Sequence, residues 1–144
     1  VIQPRVLSGM PYKDTWYLPY GNSWAAQFIN DANASYLWSD KNGKGSLALN
    51  FESVLEKAKD ADYWIAIGNY ETKKQLLDSN SHYEQFKMFQ ENTIYISNIK
   101  GATGGLLFYE LAPTRPDLIL KDLIKIFHPE LLPKYNLNFY TQLN

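Results

Sequence analysis

The sequence Asp-Tyr-Trp-Ile-Ala-Ile-Gly at residues 62–68 predicts a buried β-strand. Its apolar residues follow one another without alternation, which is typical of a strand covered on both faces, and a glycine closes the run. Shorter apolar runs predict further strands at residues 5–8, 35–38 and 93–97. Residues 14–18 (DTWYL) are interpreted as an extension of the first strand or as a partner for it.

Helix signals lie between these strands. Ser23 and Asn50 are predicted N-caps, because each precedes a segment whose apolar residues have a helical period. Asn33 follows the first helix at a position where the backbone commonly turns left-handed. The apolar face of that helix comprises Trp24, Ala25, Phe28 and Ile29. Further helices are predicted at residues 71–77 and 82–89, and from Pro116 until shortly before Pro129.

The alternation of strands and helices predicts the fold class. It indicates an α/β sandwich in which helices cover both faces of a largely parallel central sheet. The length of 144 residues suits a single domain with a core of its own. Because the chain begins at Val1, with neither an initiator methionine nor a signal peptide, we expect a processed or excised piece of a longer protein.

The composition excludes several classes of function. A chain with 45% hydrophobic and 20% charged residues is not of the disordered type. The 14 Lys and Arg residues are balanced by 15 Asp and Glu residues, which argues against a nucleic-acid-binding surface. No apolar run approaches the roughly 18 residues of a membrane span. Aromatic residues make up 15% of the chain, which is typical either of a binding surface or of an aromatic-rich core.

The chain carries no recognisable catalytic motif, and we therefore expect a protein that is not an enzyme. The absence of cysteine excludes disulfides, thiolate zinc sites and a cysteine nucleophile. His82 and His128 lie in different predicted elements, so we expect no metal site. The glycines of residues 101–105 follow the last predicted strand, whereas a dinucleotide-binding loop follows the first. The sequence at residues 43–46 (GKGS) lacks the spacing of a phosphate-binding loop.

Three stretches resemble one protein family and occur in that family's order. Residues 16–38 (WYLPYGNSWAAQFINDANASYLW) resemble a block with the pattern W-x-x-P-G-G-x-S, followed by a tyrosine and a tryptophan. Residues 47–65 (LALNFESVLEKAKDADYWI) and 104–133 (GGLLFYELAPTRPDLILKDLIKIFHPELLP) resemble two later blocks. Together they resemble the C-terminal lobe of ABC transporter substrate-binding proteins for iron-siderophores, haem and cobalamin, of the Bacteroidetes type.

The resemblance implies a fold, a ligand and a location. Residues 1–144 would form a single Rossmann-like, three-layer lobe, whereas the N-terminal lobe and the helix between the lobes would lie elsewhere in the parent protein. An iron or cobalt chelate would be held between the lobes and delivered to a permease in the inner membrane, with no intrinsic cofactor and no nucleic acid. The parent protein would be periplasmic and anchored as a lipoprotein. The sequence departs from the family at Tyr20, which replaces a glycine, and at Leu106 and Leu107, which replace polar residues.

Candidate ligand contacts follow from the geometry of a two-lobe clamp. In such a protein the ligand meets loops at the carboxyl ends of the strands, and aromatic rings there can stack on a flat chelate. The predicted ligand-binding residues are Trp16, Tyr17, Tyr20, Asn22, Trp38, Tyr70, Asn98, Lys100 and Thr103. Trp16 and Tyr17 have an alternative interpretation as strand residues that pack inward. The other open alternative for the chain is a small stand-alone α/β enzyme or a nucleotide-binding domain, which would need convergent titratable groups.

Glu52 has a different predicted role. It lies two residues after the predicted N-cap Asn50, and the resemblance implies that such a glutamate points away from the lobe and pairs with an arginine of the permease. The alternative is purely structural, since a carboxylate is stabilised near the N-terminus of a helix.

Overall fold

The structure is a computed structural model that describes residues 3–13, 15–68, 70–97 and 115–144. Its strands are β1 (Arg5–Ser8), β2 (Met10–Tyr12), β3 (Thr15–Pro19), β4 (Ser35–Tyr36), β5 (Ser46–Asn50), β6 (Tyr63–Ile67), β7 (Ile94–Ser97) and β8 (Thr141–Gln142). Its α-helices are α1 (Trp24–Asp31), α2 (Phe51–Ala58), α3 (Lys73–Ser79), α4 (Lys87–Gln90) and α5 (Pro116–Phe127). Short 3-10 helices span Ser81–Gln85 and Pro129–Leu131.

The larger sheet has five strands in the order β4-β1-β6-β7-β8. The first four of these run parallel to one another, and β8 lies antiparallel at the edge. The central strand β6 carries Trp64, Ile65 and Ala66, all of which are buried. The predicted α/β class, with a mostly parallel central sheet, is therefore confirmed, and residues 62–68 contain the central strand.

A second, antiparallel sheet with the strand order β2-β3-β5 was not predicted. Of the segment predicted at residues 14–18, the described residues 15–18 neither extend the first strand nor pair with it, because β3 pairs with β2 and β5. The reason lies at Gly9, whose φ of 91° turns the chain out of the larger sheet. A Cβ atom at this position would collide with the carbonyl oxygen of Tyr17, so that only glycine fits the turn.

The local helix signals are confirmed in the structure. The Ser23 hydroxyl accepts a hydrogen bond from the Ala26 amide at 3.1 Å, and the Asn50 side chain accepts one from the Ser53 amide at 2.8 Å. Asn33 has a φ of 60°, as expected for the residue that ends α1. The helix predicted at residues 82–89 is instead split by an extended backbone at Phe86. No helix among the described residues has the length and apolarity that crossing a membrane would require.

An aromatic cluster joins the two sheets. It consists of Trp16, Phe51, Trp64, Tyr83 and Phe86, with the two indole rings 5.0 Å apart between their centroids. The indole N–H of Trp16 donates to the carbonyl oxygen of Ser8 at 3.2 Å, and that of Trp64 donates to Gly9 at 2.9 Å. These bonds fix the junction between the sheets at the end of β1, which is where the candidate site lies.

Tyr83 gives this cluster an expected alkaline limit. Burial raises the pKa of Tyr83 from 10.0 to about 12, with a smaller contribution from Tyr70. Because folding raises this pKa, the protonated Tyr83 side chain contributes stability that is fully present below pH 10. Between pH 10 and about 12 that stability is lost, since unfolding then releases a proton from the tyrosine. We expect Tyr83→Phe to lose less stability than the wild type across this range in urea denaturation, whereas Tyr12→Phe, at an exposed position, should behave as the wild type. Equal pH dependence in all three proteins would contradict this.

Candidate functional site

A cavity of about 380 Å³ lies at the carboxyl end of β1, between the β2–β3 hairpin and the N-terminus of α1. The hairpin contributes Met10, Tyr17, Leu18 and Pro19, and α1 with its cap contributes Ser23, Trp24, Ala25, Phe28 and Ile29. The remaining lining residues are Ser8, Gly9, Gly45, Ser46, Ile65, Ala66, Leu123 and Tyr140. The cavity is therefore placed where ligands bind in open α/β sheets, beyond the carboxyl ends of the strands.

Two large aromatic side chains in the cavity wall are exposed to solvent. Tyr17 is 45% exposed and Trp24 is 52% exposed, and the Trp24 ring contacts the edge of Phe28 at 5.7 Å between centroids. Tyr17 was predicted as a ligand contact, and the structure places it in the cavity wall. Helical periodicity places Trp24 on the apolar face of α1, but the buried residues of that helix are Ala26 and Ile29. Its position directly after the N-cap, at the mouth of a strand-to-helix loop, was the signal that could have identified it.

Asp122, a buried carboxylate on α5, holds part of the cavity wall in place. Its Oδ2 atom accepts hydrogen bonds from the amides of Phe139 at 2.7 Å and Tyr140 at 3.2 Å. Its Oδ1 atom accepts bonds from the Tyr135 hydroxyl at 2.8 Å and the Asn138 amide at 3.0 Å. The carboxylate thus fixes the C-terminal segment that brings Tyr140 into the cavity wall. Sequence reasoning missed this residue, because its partners follow it by 13 to 18 positions.

Tyr20 and Asn22, two predicted ligand contacts, lie beside the cavity and not among its lining residues. The Asn22 side chain accepts a hydrogen bond from the Gly43 amide at 3.1 Å, and the Tyr20 ring packs so closely on Gly43 that a Cβ atom there would clash with it. The Gly21 amide also donates to Lys41 at 2.6 Å. These contacts tie the loop after β3 to the polar loop that leads into β5. A ligand role for the two side chains stays a prediction.

Tyr36 also helps to hold the cavity wall in place. Its hydroxyl donates to the carbonyl oxygen of Pro19 at 2.6 Å, and Pro19 lines the cavity. Burial raises the pKa of Tyr36, so that the hydroxyl stays protonated and keeps this bond to a higher pH than an exposed tyrosine would.

Trp16 and Trp38, two further predicted ligand contacts, are in the core. Trp16 is fully buried and Trp38 is 3% exposed, so neither ring offers a free face in this structure. For Trp16 the structure gives the inward-packing alternative, within the aromatic cluster. Trp38 packs beside Tyr36, and the ammonium group of Lys57 lies 5.2 Å from its ring centroid. The physical reason is that both indoles belong to the hydrophobic core, where most of their surface is removed from water.

Among the remaining predicted contacts, Tyr70 is described by the structure and does not line this cavity. Tyr70 is half-buried, packs against the core and is absent from the cavity lining. Asn98, Lys100 and Thr103 lie outside the described residues. Glu52 is exposed in the first turn of α2, the orientation that its predicted docking role requires.

The histidines have structural surroundings. The buried His128 ring places Nε2 2.9 Å from the carbonyl oxygen of Asn33, which links α5 to the end of α1. His82 is exposed, and its Nδ1 atom lies 3.2 Å from the side-chain amide of Gln85. Within the parts of the chain that the structure describes, no three His, Asp or Glu side chains are grouped so that they could hold a metal ion.

Comparison by sequence finds two relatives, both uncharacterised lipoproteins of Methanocaldococcus jannaschii. One is 28% identical over 144 residues, which is 98% of this chain and 33% of the relative. The other is 29% identical over 116 residues, which is 78% of this chain and 28% of the relative. The chain thus spans about a third of the length of the curated relatives it matches. No protein-family model matches the sequence.

Comparison by structure finds solute-binding proteins. An ABC transporter substrate-binding protein from Listeria monocytogenes aligns with a TM-score of 0.61 and 15% identity, over 89% of this chain and 48% of that protein. A possible iron-binding (periplasmic solute-binding) protein from Staphylococcus epidermidis aligns with a TM-score of 0.67 and 15% identity, over 88% and 45%. At this identity the likeness establishes the fold, and this chain has the fold of just under half of each protein.

Proposed function

We propose that this chain is the C-terminal lobe of a solute-binding protein that serves an ABC importer. The observation that carries the proposal is the cavity at the carboxyl end of the parallel sheet, with Tyr17 and Trp24 exposed in its wall. The likeness in fold to two solute-binding proteins supports it. The lobe would hold its ligand against a second, N-terminal lobe, and a long helix in the parent protein would connect the two lobes.

The ligand that we propose is a metal chelate, such as an iron-siderophore, haem or cobalamin. Exposed aromatic rings suit the flat conjugated surface of these compounds, since stacked aromatic pairs contribute about 0.5–1.5 kcal/mol beyond the burial of area. The Staphylococcus epidermidis protein, described as possibly iron-binding, is compatible with this ligand class. The Methanocaldococcus relatives support a parent protein that is a lipoprotein, and the periplasmic solute-binding protein from Staphylococcus epidermidis supports a periplasmic location for it.

A comparison of two tyrosines on the β2–β3 hairpin tests the function. In the full gene product, Tyr17→Ala should weaken the binding of the preferred chelate about tenfold, since the variant loses a stacking surface in the cavity wall. Tyr12→Ala is the matched control, because Tyr12 is 66% exposed on the same hairpin but does not line the cavity. Titration of wild type and variants with haem, cobalamin and a ferric siderophore gives the affinities.

The control and the wild type decide how this titration is interpreted. Tyr12→Ala should bind as the wild type does, and both variants should keep the wild-type melting temperature. The proposed function fails if the wild type binds none of the three chelates. The assignment of the cavity as the ligand site fails if Tyr17→Ala and Tyr12→Ala bind equally well.

Glu52 is expected to act in transport and not in ligand binding. Its exposed carboxylate would meet a cation of the permease and set the register of docking, which affects the encounter rate more than the affinity. In the full receptor with its permease, Glu52→Ala should slow uptake several-fold, and Glu52→Arg should slow it further, with ligand affinity unchanged. The effect should weaken as salt screens the charges.

A second glutamate on the same helix provides the control for Glu52. Glu56 is also exposed but lies one turn further along α2. Glu56→Arg should therefore transport at close to the wild-type rate. Normal uptake by Glu52→Arg would leave Glu52 as a residue that merely stabilises the start of its helix.

A further inference from the structure

The described lining of the cavity is uncharged. None of the described residues that line it is Asp, Glu, Lys, Arg or His. The polar side chains in the lining are the hydroxyls of Ser8, Ser23, Ser46, Tyr17 and Tyr140 and the indole N–H of Trp24. The rest of the side-chain surface is aliphatic, aromatic or thioether.

The charged groups near the cavity in sequence lie outside its described lining, and one of them, Lys44, which precedes the lining residue Gly45, is exposed to solvent. The Asp122 carboxylate precedes the lining residue Leu123, but it is buried and surrounded by amides of residues 138–140. The Lys13 ammonium lies 5.5 Å from the ring centroid of Tyr12, which is not a lining residue. The Ser23 hydroxyl already accepts the bond that caps α1. The described wall therefore offers no counter-ion to a buried charge.

Resting on the function proposed above, we infer that this cavity receives an uncharged aromatic group of the ligand and discriminates against an anionic group of the same shape. A carboxylate that enters this cavity exchanges its hydration for neutral hydroxyl and indole donors and meets no cation in the described lining, which costs more than burying a neutral ring. The N-terminal end of α1 contributes only a partial positive charge, a weaker effect than this desolvation. The half-exposed rings of Tyr17 and Trp24 supply faces on which a neutral aromatic group can stack.

A matched pair of probes tests the inference on the 144-residue chain. 2-Naphthamide and 2-naphthoate share one ring system and differ in a neutral amide against a carboxylate. We expect calorimetric titration to show naphthamide binding at least about tenfold more tightly than naphthoate, since only the anion loses the hydration of a full charge without gaining a cation as a partner. Tyr17→Ala should weaken naphthamide binding about fivefold, and Tyr12→Ala should leave it unchanged.

Each result either supports or overturns the inference. Equal or tighter binding of naphthoate would overturn it, as would the failure of both probes to bind or equal affinities in Tyr17→Ala and Tyr12→Ala. These results are separable from the test of the importer function, which uses whole chelates and the full gene product. If the naphthyl pair behaves as expected while no chelate binds, the function fails and the selectivity of the cavity stands. If a chelate binds while naphthoate outcompetes naphthamide, the reverse holds.

Discussion

Asp122→Ala is expected to lower the free energy of unfolding by about 3–5 kcal/mol, because it leaves several buried donors without an acceptor. The carboxylate is fully buried and accepts bonds from the Tyr135 hydroxyl and from the amides of residues 138–140. Without it the C-terminal segment loses its attachment to α5, and Phe139 and Tyr140 lose the positions in which they are buried. Urea denaturation followed by circular dichroism measures the loss.

Two further variants separate the charge of Asp122 from its shape. Asp122→Asn keeps the side-chain volume but turns an NH₂ group toward backbone N–H donors. It should therefore lower the free energy of unfolding by roughly half as much as Asp122→Ala does. Asp117→Asn is the matched control, since Asp117 lies on the same helix in an exposed pair with Arg115 and should change stability little. If Asp122→Asn were as stable as the wild type, the hydrogen bonds to the Asp122 carboxylate would not be what holds the C-terminal segment in place.

Trp64→Ala is expected to cost about 3–5 kcal/mol of stability, as truncation of a large buried aromatic side chain usually does. Trp64 is fully buried on the central strand and contacts Trp16, Tyr83 and Phe86. Its loss opens a cavity between the two sheets and leaves the Gly9 carbonyl without its indole donor. The measurement is the midpoint and slope of urea unfolding.

The control for Trp64 is a tryptophan of the cavity wall. Trp24→Ala removes a ring that is 52% exposed and should cost less than about 1 kcal/mol. Trp64→Phe keeps most of the packing and loses the bond to Gly9, for an expected cost of about 1–2 kcal/mol. Equal losses in Trp64→Ala and Trp24→Ala would contradict the assignment of one ring to the core and the other to the site.

The sequence was sufficient where the determining interaction is local. Ser23 and Asn50 cap their helices with amides three positions away, so each cap is visible in four consecutive residues. Asn33 ends α1 through its own backbone conformation, with a φ of 60°. The strand at residues 62–68 is predicted by its continuous apolar sequence. Such a sequence is typical of a strand that is buried on both faces, and β6 lies at the centre of the sheet.

The features that sequence reasoning missed depend on partners far along the chain. β5 has half-exposed, alternating residues and exists because β3, some thirty residues earlier, pairs with it. β8 is a two-residue strand that is defined by its pairing with β7. The hydrogen bonds of the Asp122 carboxylate likewise join α5 to the C-terminal segment. Such pairings leave little local pattern, since register is decided by tertiary packing.

In the candidate site, too, some residues follow from local sequence patterns and others do not. Tyr17, a predicted ligand contact, lies on β3 and lines the cavity. Trp16, its neighbour, points to the opposite face of β3 and is buried, as the alternation of a strand requires. Trp24 was assigned inward by periodicity alone, although the first residue of a helix lies at its end and is less covered by the core. Separate treatment of the first helical turn would have left Trp24 free to be predicted as exposed.

The most direct test of the central claim is the crystal structure of the full gene product with a captured chelate. We predict that the chelate lies between two lobes and that its ring system contacts Tyr17 and Trp24 at about 3.5–4 Å, the distance of van der Waals contact. A chelate that is bound elsewhere and touches neither side chain would contradict the assignment of this cavity as the ligand site.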